Sequence, residues 1–367
     1  MPTQTVTAAR RVLWDPSATG ARQRVVRSRA PLRLGLAGGG TDVSPYCDDH
    51  GGLVLNATID RYCYATIEDG NPGDVEIQAA DIGKAMDLRW SDELPSSDEP
   101  VLPLHASVYR RICKLFDLGR PGVKLTTVSE APPGSGLGSS STLVVALVEA
   151  FREFFGLPMG TYDVAQMAYD VERIDCGLAG GRQDQYAATF GGFNSMEFGA
   201  GGHVIVSPLR LPAAIVRELE ASMVLFQTEV SRSSAGIIER QADHIRAGAA
   251  DQLAATHDIK AEAVAMRQAL VRGDLGQLAQ VLDRGWEVKK RLAEGITTDE
   301  IDNVFTVARG AGALAGKVSG AGGGGYLMLL CEPTRRPELL KALAGLEHGR
   351  VEPVHFVDDG AVAWTVR

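Results

Sequence analysis

Between Ala131 and Thr142 the chain concentrates residues suited to handling phosphate: Pro132, Pro133, Gly134, Ser135, Gly136, Leu137, Gly138, Ser139, Ser140 and Ser141. Glycines at 134, 136 and 138 let the backbone turn tightly and bring its N–H groups close to a ligand. The serines can cap a helix, donate to phosphate oxygens or reach a magnesium ion. Taken alone, the stretch reads equally well as a glycine–serine turn with a helix cap. It is not a Walker A loop, because no lysine follows the last glycine, and the Gly-x-Gly-x-x-Gly order of a dinucleotide fingerprint is missing. Other glycine runs have reactive neighbours. Gly38, Gly39 and Gly40 lead into Thr41 and Asp42, an acid that could cap the next turn or grip sugar hydroxyls. Lys317 precedes Gly320 and the run Gly322 to Gly325, which implies close backbone approach to another loop or to a substrate. Gly316 and Lys317 imitate a P-loop, but Ala311 stands where the first glycine is required and Val318 replaces the Ser/Thr. Glu172 and Asp184 complete the set. Glycine loops that cradle phosphates, a serine and a glutamate for a metal, and an acid that orients or deprotonates a hydroxyl are what phosphoryl transfer needs.

Local patterning says how these residues are held. Val123 to Val128 alternates as a strand, and Leu143 to Phe155 carries apolar residues at helical spacing until Gly156 and Pro158. The serine stretch is therefore a strand–loop–helix junction, and a helix start favours phosphate through its free N–H groups and its dipole. Structure is expected from near Val25, with residues 1–28 as a flexible extension. Ala30 to Leu36 reads as a short strand, Gly51 to Ile59 and Tyr62 to Ile67 as two paired strands, and Gly70 to Pro100 as loops around one strand. Leu104 to Phe116 and Thr161 to Ile174 read as helices, with Glu172 in the last turn of the second. A strand pair is expected near Asn194 to Val206, strands over Met223–Thr228 and Leu327–Leu330, and a helical region over Ala235–Leu292 broken near Gly248 and Gly273. His244 and His257 fall within it and read as solvated helix residues. The change of character predicts two domains, 29–205 and 206–367.

Composition narrows the classes. A chain of 367 residues with 45% apolar and 23% charged residues is an ordinary globular mixture, long enough for about two domains. A net charge of −9 argues against general nucleic-acid or anionic-membrane binding, which want a basic face. The five cysteines are scattered without a Cys-x-x-Cys pair, so neither a disulfide framework nor a zinc site is indicated, and a cytoplasmic protein is the expectation. No segment approaches an 18-residue apolar span.

The segment from Pro133 to Ser141 resembles the central ATP-binding motif of the GHMP kinases. Pro31 to Asp42 resembles the first motif of that family, and Lys317 to Gly325 the third, all in family order. The resemblance implies an α+β, two-domain GHMP kinase fold, with a left-handed βαβ unit in the N-terminal domain and a ferredoxin-like C-terminal domain. It implies ATP and Mg2+ as cofactors. Pro133, Gly134, Ser135, Gly136, Leu137, Gly138, Ser139, Ser140 and Ser141 would bind the nucleotide. Asp184 would be the catalytic Asp with Arg33 beside it, and Ser140 and Glu172 the metal ligands. Gly38, Gly39, Gly40, Thr41, Asp42, Gly322 and Gly323 would face the substrate. Galactokinases carry a Glu-His pair where Gly39 and Gly40 stand here, so a different or bulkier sugar is expected. The first motif, with Gly52 to Ile59 and Ser231 to Ser234, looks most like the kinases of D-glycero-D-manno-heptose 7-phosphate, which phosphorylate the anomeric hydroxyl and feed surface-polysaccharide synthesis. A sugar phosphate needs a cationic clamp, for which Arg182, Arg232 and Lys317 are the candidates. The expected partner is thus a small-molecule sugar phosphate, with no nucleic acid and no membrane, and a homodimer is left open. Competing readings are an anomeric kinase for a free sugar such as fucose, mannose or galactose, a silent sugar or nucleotide sensor of the same fold, and a dinucleotide-dependent oxidoreductase.

Overall fold

A computed structural model describes residues 24–88, 102–228 and 235–366. Its N-terminal part contains, in chain order, β1 (Val25–Ala37), α1 (Tyr46–His50), β2 (Gly52–Asp69), β3 (Val75–Ala79), β4 (Lys84–Asp87), α2 (Pro103–Leu115), β5 (Val123–Ser129), α3 (Ser139–Phe155), α4 (Thr161–Asp170), a π-helical turn at Val171–Asp175, α5 (Gln183–Phe190), β6 (Phe193–Phe198) and β7 (Val204–Pro208). There follow α6 (Ala213–Ser222), β8 (Met223–Gln227), α7 (Ala235–Arg246), α8 (Ala250–Arg272), α9 (Leu275–Lys290), α10 (Asp299–Gly310), β9 (Ala313–Val318), β10 (Tyr326–Cys331), α11 (Arg336–Ala344), β11 (Arg350–Glu352) and β12 (Val362–Thr365).

The first sheet runs β12-β1-β2-β5-β3-β4, with β6 pairing β2 and β7 pairing β6. Among the described residues of this sheet only β3 and β5 pair in parallel, and α2 lies in the connection between them, which makes the βαβ unit. The second sheet runs β11-β8-β10-β9, all antiparallel. Its chain order, β8, helices, β9, β10, α11, β11, is the βαββαβ arrangement of a ferredoxin-like domain.

Several expectations shift. The residues expected as two paired strands form one 18-residue strand, β2, and both halves pair with β1. No turn is needed at Asp60, because a bulge absorbs the excess: Pro31 faces Tyr62 while Arg33 faces Thr58. Val25 to Ser28, expected in the extension, belong to β1 and pair with β2, and Val26 to Ser28 pair with β12 as well. Two strands, β3 and β4, stand where one was expected. The first sheet continues through β7 to Pro208, past the expected boundary at 205, and β12 returns from the chain's far end to its edge.

From Ala30 to Ala37 every residue of β1 is buried, so both faces of the pleat are covered there. The helices α3, α5, α8 and α9 all pack against β1. Ala263 and Met266 of α8 and Val281 and Leu282 of α9 join the core of the first sheet. Among the described residues no helix is long and apolar enough to cross a membrane.

Candidate active site

A cleft of about 510 Å³ opens where the loop before α3 meets the start of α5, the loop after β1 and the ends of α9 and β9. At its centre is the start of α3. Gly138 precedes the helix in a left-handed conformation, with no side chain capping the helix and no acid in its first turn. The free N–H groups and the dipole of a 17-residue helix therefore face the cleft, a ready phosphate site. Pro133, Gly134, Gly136, Gly138, Ser139, Ser140 and Ser141 line it, whereas Ser135 and Leu137 are buried within the loop. Ser135 shares a 2.8 Å hydrogen bond with Ser139, and the Leu137 carbonyl accepts from the Arg33 N–H at 3.2 Å. Gly136 has φ +78°, and a Cβ there would lie 2.4 Å from the Ser319 carbonyl. Close approach of two loops, not substrate contact alone, therefore dictates this glycine.

Beside this loop, Arg33 Nε donates to Asp184 Oδ1 at 2.7 Å, and Nη2 lies 2.6 Å from the same oxygen. Arg33 Nη1 donates to the Gly136 carbonyl at 2.6 Å. The arginine thus ties the acid on α5 to the phosphate loop. Asp42 fixes the start of α5: its carboxylate accepts from the N–H groups of Arg182 (2.9 Å), Gln183 (3.0 Å) and Gly40 (3.2 Å), and from Gln183 Nε2 (3.1 Å). Burial raises the Asp42 pKa above the usual carboxylate value, against the lowering effect of these N–H groups. On the other side, Ser140 Oγ donates to Glu172 Oε1 at 2.9 Å, and Gln185 Nε2 donates to Oε2. Glu172 is fully buried in the π-helical turn. Such adjacent hard oxygen donors beside a phosphate site fit magnesium, which takes one or two protein oxygens and fills its octahedron with waters and phosphates. The far end of the cleft is apolar, with Ile82, Leu102, Leu104, Leu143 and Leu178. There His105 hydrogen-bonds Thr127 at 2.8 Å, and burial lowers its pKa to about 4, so it is neutral.

Other candidates are turned elsewhere. Gly39 and Gly40 face the cleft, but Gly38 lies against β2, and Thr41 Oγ1 donates toward the Gly38 and Leu53 carbonyls. Gly322 and Gly323 pack on Ile296, whose carbonyl accepts from the Gly323 N–H at 2.8 Å, while Gly320 and Ala321 line the cleft instead. Arg182 points away: Nη1 donates to the Gly199 carbonyl, and the guanidinium stacks over Tyr169. Lys317 does line the cleft, and Arg232 lies outside the described residues.

The sequence reading missed Arg173, Gln241 and Lys289, which also line the cleft. A signal for Lys289 existed. Leu278, Leu282 and Trp286 form one apolar stripe along α9, and Lys289 continues that stripe three residues after Trp286. A charged residue on a core-facing stripe is buried for a reason. Burial and the Arg33 charge lower the Lys289 pKa to about 8, and burial beside Lys289 and Arg33 pushes Lys317 well below its ordinary value.

This fold and site define a phosphotransferase. The model of the GHMP kinases N terminal domain matches residues 104–192, and that of the GHMP kinases C terminal domain matches 266–346. A D-glycero-alpha-D-manno-heptose 7-phosphate kinase of Campylobacter jejuni is 42% identical over 343 residues, covering 94% of this chain and 100% of that protein. A crystal structure described as a D-glycero-D-manno-heptose 1-phosphate kinase from Bacteroides thetaiotaomicron is 46% identical, with a TM-score of 0.77 over 93% of this chain and 99% of the other. Lactococcus lactis galactokinase complexed with galactose shares the fold at 18% identity, with a TM-score of 0.74 over 96% of each chain. The chain belongs to the GHMP kinase family. It is a kinase, and ATP is the phosphoryl donor its family uses.

Proposed function

We propose that the protein transfers the γ-phosphoryl of ATP to the anomeric hydroxyl of D-glycero-D-manno-heptose 7-phosphate, giving the 1,7-bisphosphate. This step would supply nucleotide-activated heptose for surface polysaccharide in the cytoplasm. The observation that carries the reading is the Arg33–Asp184 pair joined to the phosphate loop through the Gly136 carbonyl, with Gly39, Gly40, Gln183 and Gln241 lining the same cleft. The 42% identity to a heptose 7-phosphate kinase over nearly the whole chain supports the same sugar.

In this reading the α3 N-terminus and the loop from Pro133 to Ser141 hold the triphosphate, and the apolar end near Leu104 and Leu143 takes the base. Ser140 and Glu172 would hold magnesium, which when bound screens phosphate charge and favours departure of the leaving oxygen. Asp184 accepts a hydrogen bond from the anomeric hydroxyl and aims it at the phosphoryl group. As the new O–P bond forms and the bond from the γ-phosphorus to the bridging oxygen of ADP breaks, the hydroxyl proton passes to Asp184. Arg33 keeps the carboxylate oriented and offers positive charge to the phosphoryl oxygens. Of the two described residues expected to clamp the sugar's own phosphate, Arg182 and Lys317, it is Lys317 that lines the cleft.

The test is the structure of the product. With heptose 7-phosphate and Mg-ATP, phosphorus NMR should show a second phosphate coupled to the anomeric proton. The structure described as a 1-phosphate kinase makes transfer to another hydroxyl the specific alternative, and coupling to any other proton would establish it.

A further inference from the structure

We propose that Lys289 and Lys317 together form a phosphate seat on the C-terminal-domain wall of the cleft, binding a phosphate group of the reactants. The proposal rests on the kinase reading above for the identity of the reactants, but its physical basis is independent. Both lysines line the cleft that holds Arg33 and Asp184, and they are only 5% and 7% exposed. Lys317 Nζ donates to the Gly35 carbonyl at 2.8 Å and lies 3.4 Å from that of Leu36, while Lys289 Nζ donates to the Gly320 carbonyl. An ammonium carries three N–H groups, so each lysine keeps donors unspent.

Neither has a carboxylate within ion-pair distance among the described residues. The charged groups that act on them are each other, Arg33 from β1 and Asp42 from the loop after it, and Asp184 from α5 lines the same cleft. Asp184 is engaged by Arg33, and Asp42 by the N–H groups of Gly40, Arg182 and Gln183. Buried lysines are almost always paired, and two unpaired ones side by side raise each other's cost. The missing partner is an anion, and a phosphate, with multiple charge and several acceptor oxygens, matches two converging ammonium groups. Both pKa shifts agree in direction, since an uncompensated cluster sheds protons early. Two phosphates qualify, the sugar's own and the phosphoryl in transfer.

Full-length Lys289→Met, Lys289→Arg and Lys317→Met variants test the seat. In thermal unfolding with Mg-ADP present, inorganic phosphate should raise the wild-type midpoint, leave both Met variants unmoved and still raise Lys289→Arg. Without phosphate, Lys289→Met should melt at or above wild type, because an uncompensated buried charge is gone. A lysine that merely ties Gly320 in place predicts a lower midpoint instead. In ADP release, Lys289→Met should lose about 100-fold in kcat/KM, and Lys289→Arg should recover part of it. Wild-type kcat/KM should fall as pH rises through about 8, a limb that Lys289→Arg removes. Loss confined to heptose 7-phosphate, with free heptose spared, assigns the seat to the sugar's phosphate; equal loss with both assigns it to the phosphoryl in transfer. An unchanged phosphate shift in both Met variants overturns the seat, whether or not the wild type turns over a sugar. A wild type that shows the shift yet turns over no sugar overturns the proposed function and supports the seat.

Discussion

Asp184→Asn separates catalysis from architecture more sharply than any other change in this site. One carboxylate oxygen takes two N–H groups of Arg33, at 2.7 and 2.6 Å, and a Cβ on Gly138 would come within 3.2 Å of the other. Asparagine keeps the shape and one acceptor, and Arg33 retains its bond to the Gly136 carbonyl. The Asp184 side chain is 21% exposed, so the stability lost should stay near about 1–2 kcal/mol. Losing the group that orients the hydroxyl and takes its proton should cost ~10²–10⁴ in kcat, or roughly 3–5 kcal/mol of barrier. Binding of ATP should be little changed, because the N–H groups of the phosphate loop are untouched. Steady-state ADP release and nucleotide titration, run beside a melting curve, measure all three. Turnover within about tenfold of wild type, on a folded variant, would refute the assignment. Parallel loss of nucleotide binding would show that Asp184 supports the loop and not the chemistry.

Other changes have equally definite outcomes. Ser140→Ala should raise the magnesium concentration needed for half-maximal turnover about tenfold or more, read from a magnesium titration at fixed ATP, because one of two adjacent oxygen donors is removed. Gly136→Ala should cost about 3 kcal/mol or more in urea unfolding, as its Cβ would meet a backbone carbonyl at 2.4 Å. Gly73→Ala, also at positive φ but with nothing within 4 Å, should cost only about 1–2 kcal/mol. The fold lowers the Lys289 pKa from 10.5 to about 8, so the folded chain sheds this proton before the unfolded chain does. Its contribution is therefore most unfavourable below pH 8 and recovers as pH rises toward 10.5; relative to Lys289→Met, wild type should gain about 2–3 kcal/mol from pH 8 to 10 in denaturant titrations.

What could be read from the sequence was whatever local patterning controls. The loop from Pro133 to Ser141, the helix over Leu143–Phe155 and the breaks at Gly248 and Gly273 depend on glycine, proline and apolar spacing within one or two turns. Orientation was hidden. Arg182 sits in a glycine-rich segment beside Asp184, yet the Gly199 carbonyl and the Tyr169 ring draw it to the other side of the chain. Gly38 and Gly39 look alike in the sequence, but only Gly38 presses on β2. Long-range pairing was hidden as well: β12 joins an edge more than three hundred residues upstream, and β2 reads as two strands because its bulge at Asp60 resembles a turn. Lys289 was overlooked although it continues the apolar stripe of α9, and the packing of that helix buries it while Lys290 beside it stays partly exposed.

The most direct test of the whole account is ADP release with Mg-ATP, comparing D-glycero-D-manno-heptose 7-phosphate with free heptose, mannose, fucose and galactose. The account predicts strong preference for the heptose phosphate, with kcat/KM at least about 100-fold above any free sugar, the margin expected when a phosphate meets buried cations. Equal or better turnover of a free sugar would contradict it, leaving a kinase of the same fold whose buried lysines do not serve the acceptor.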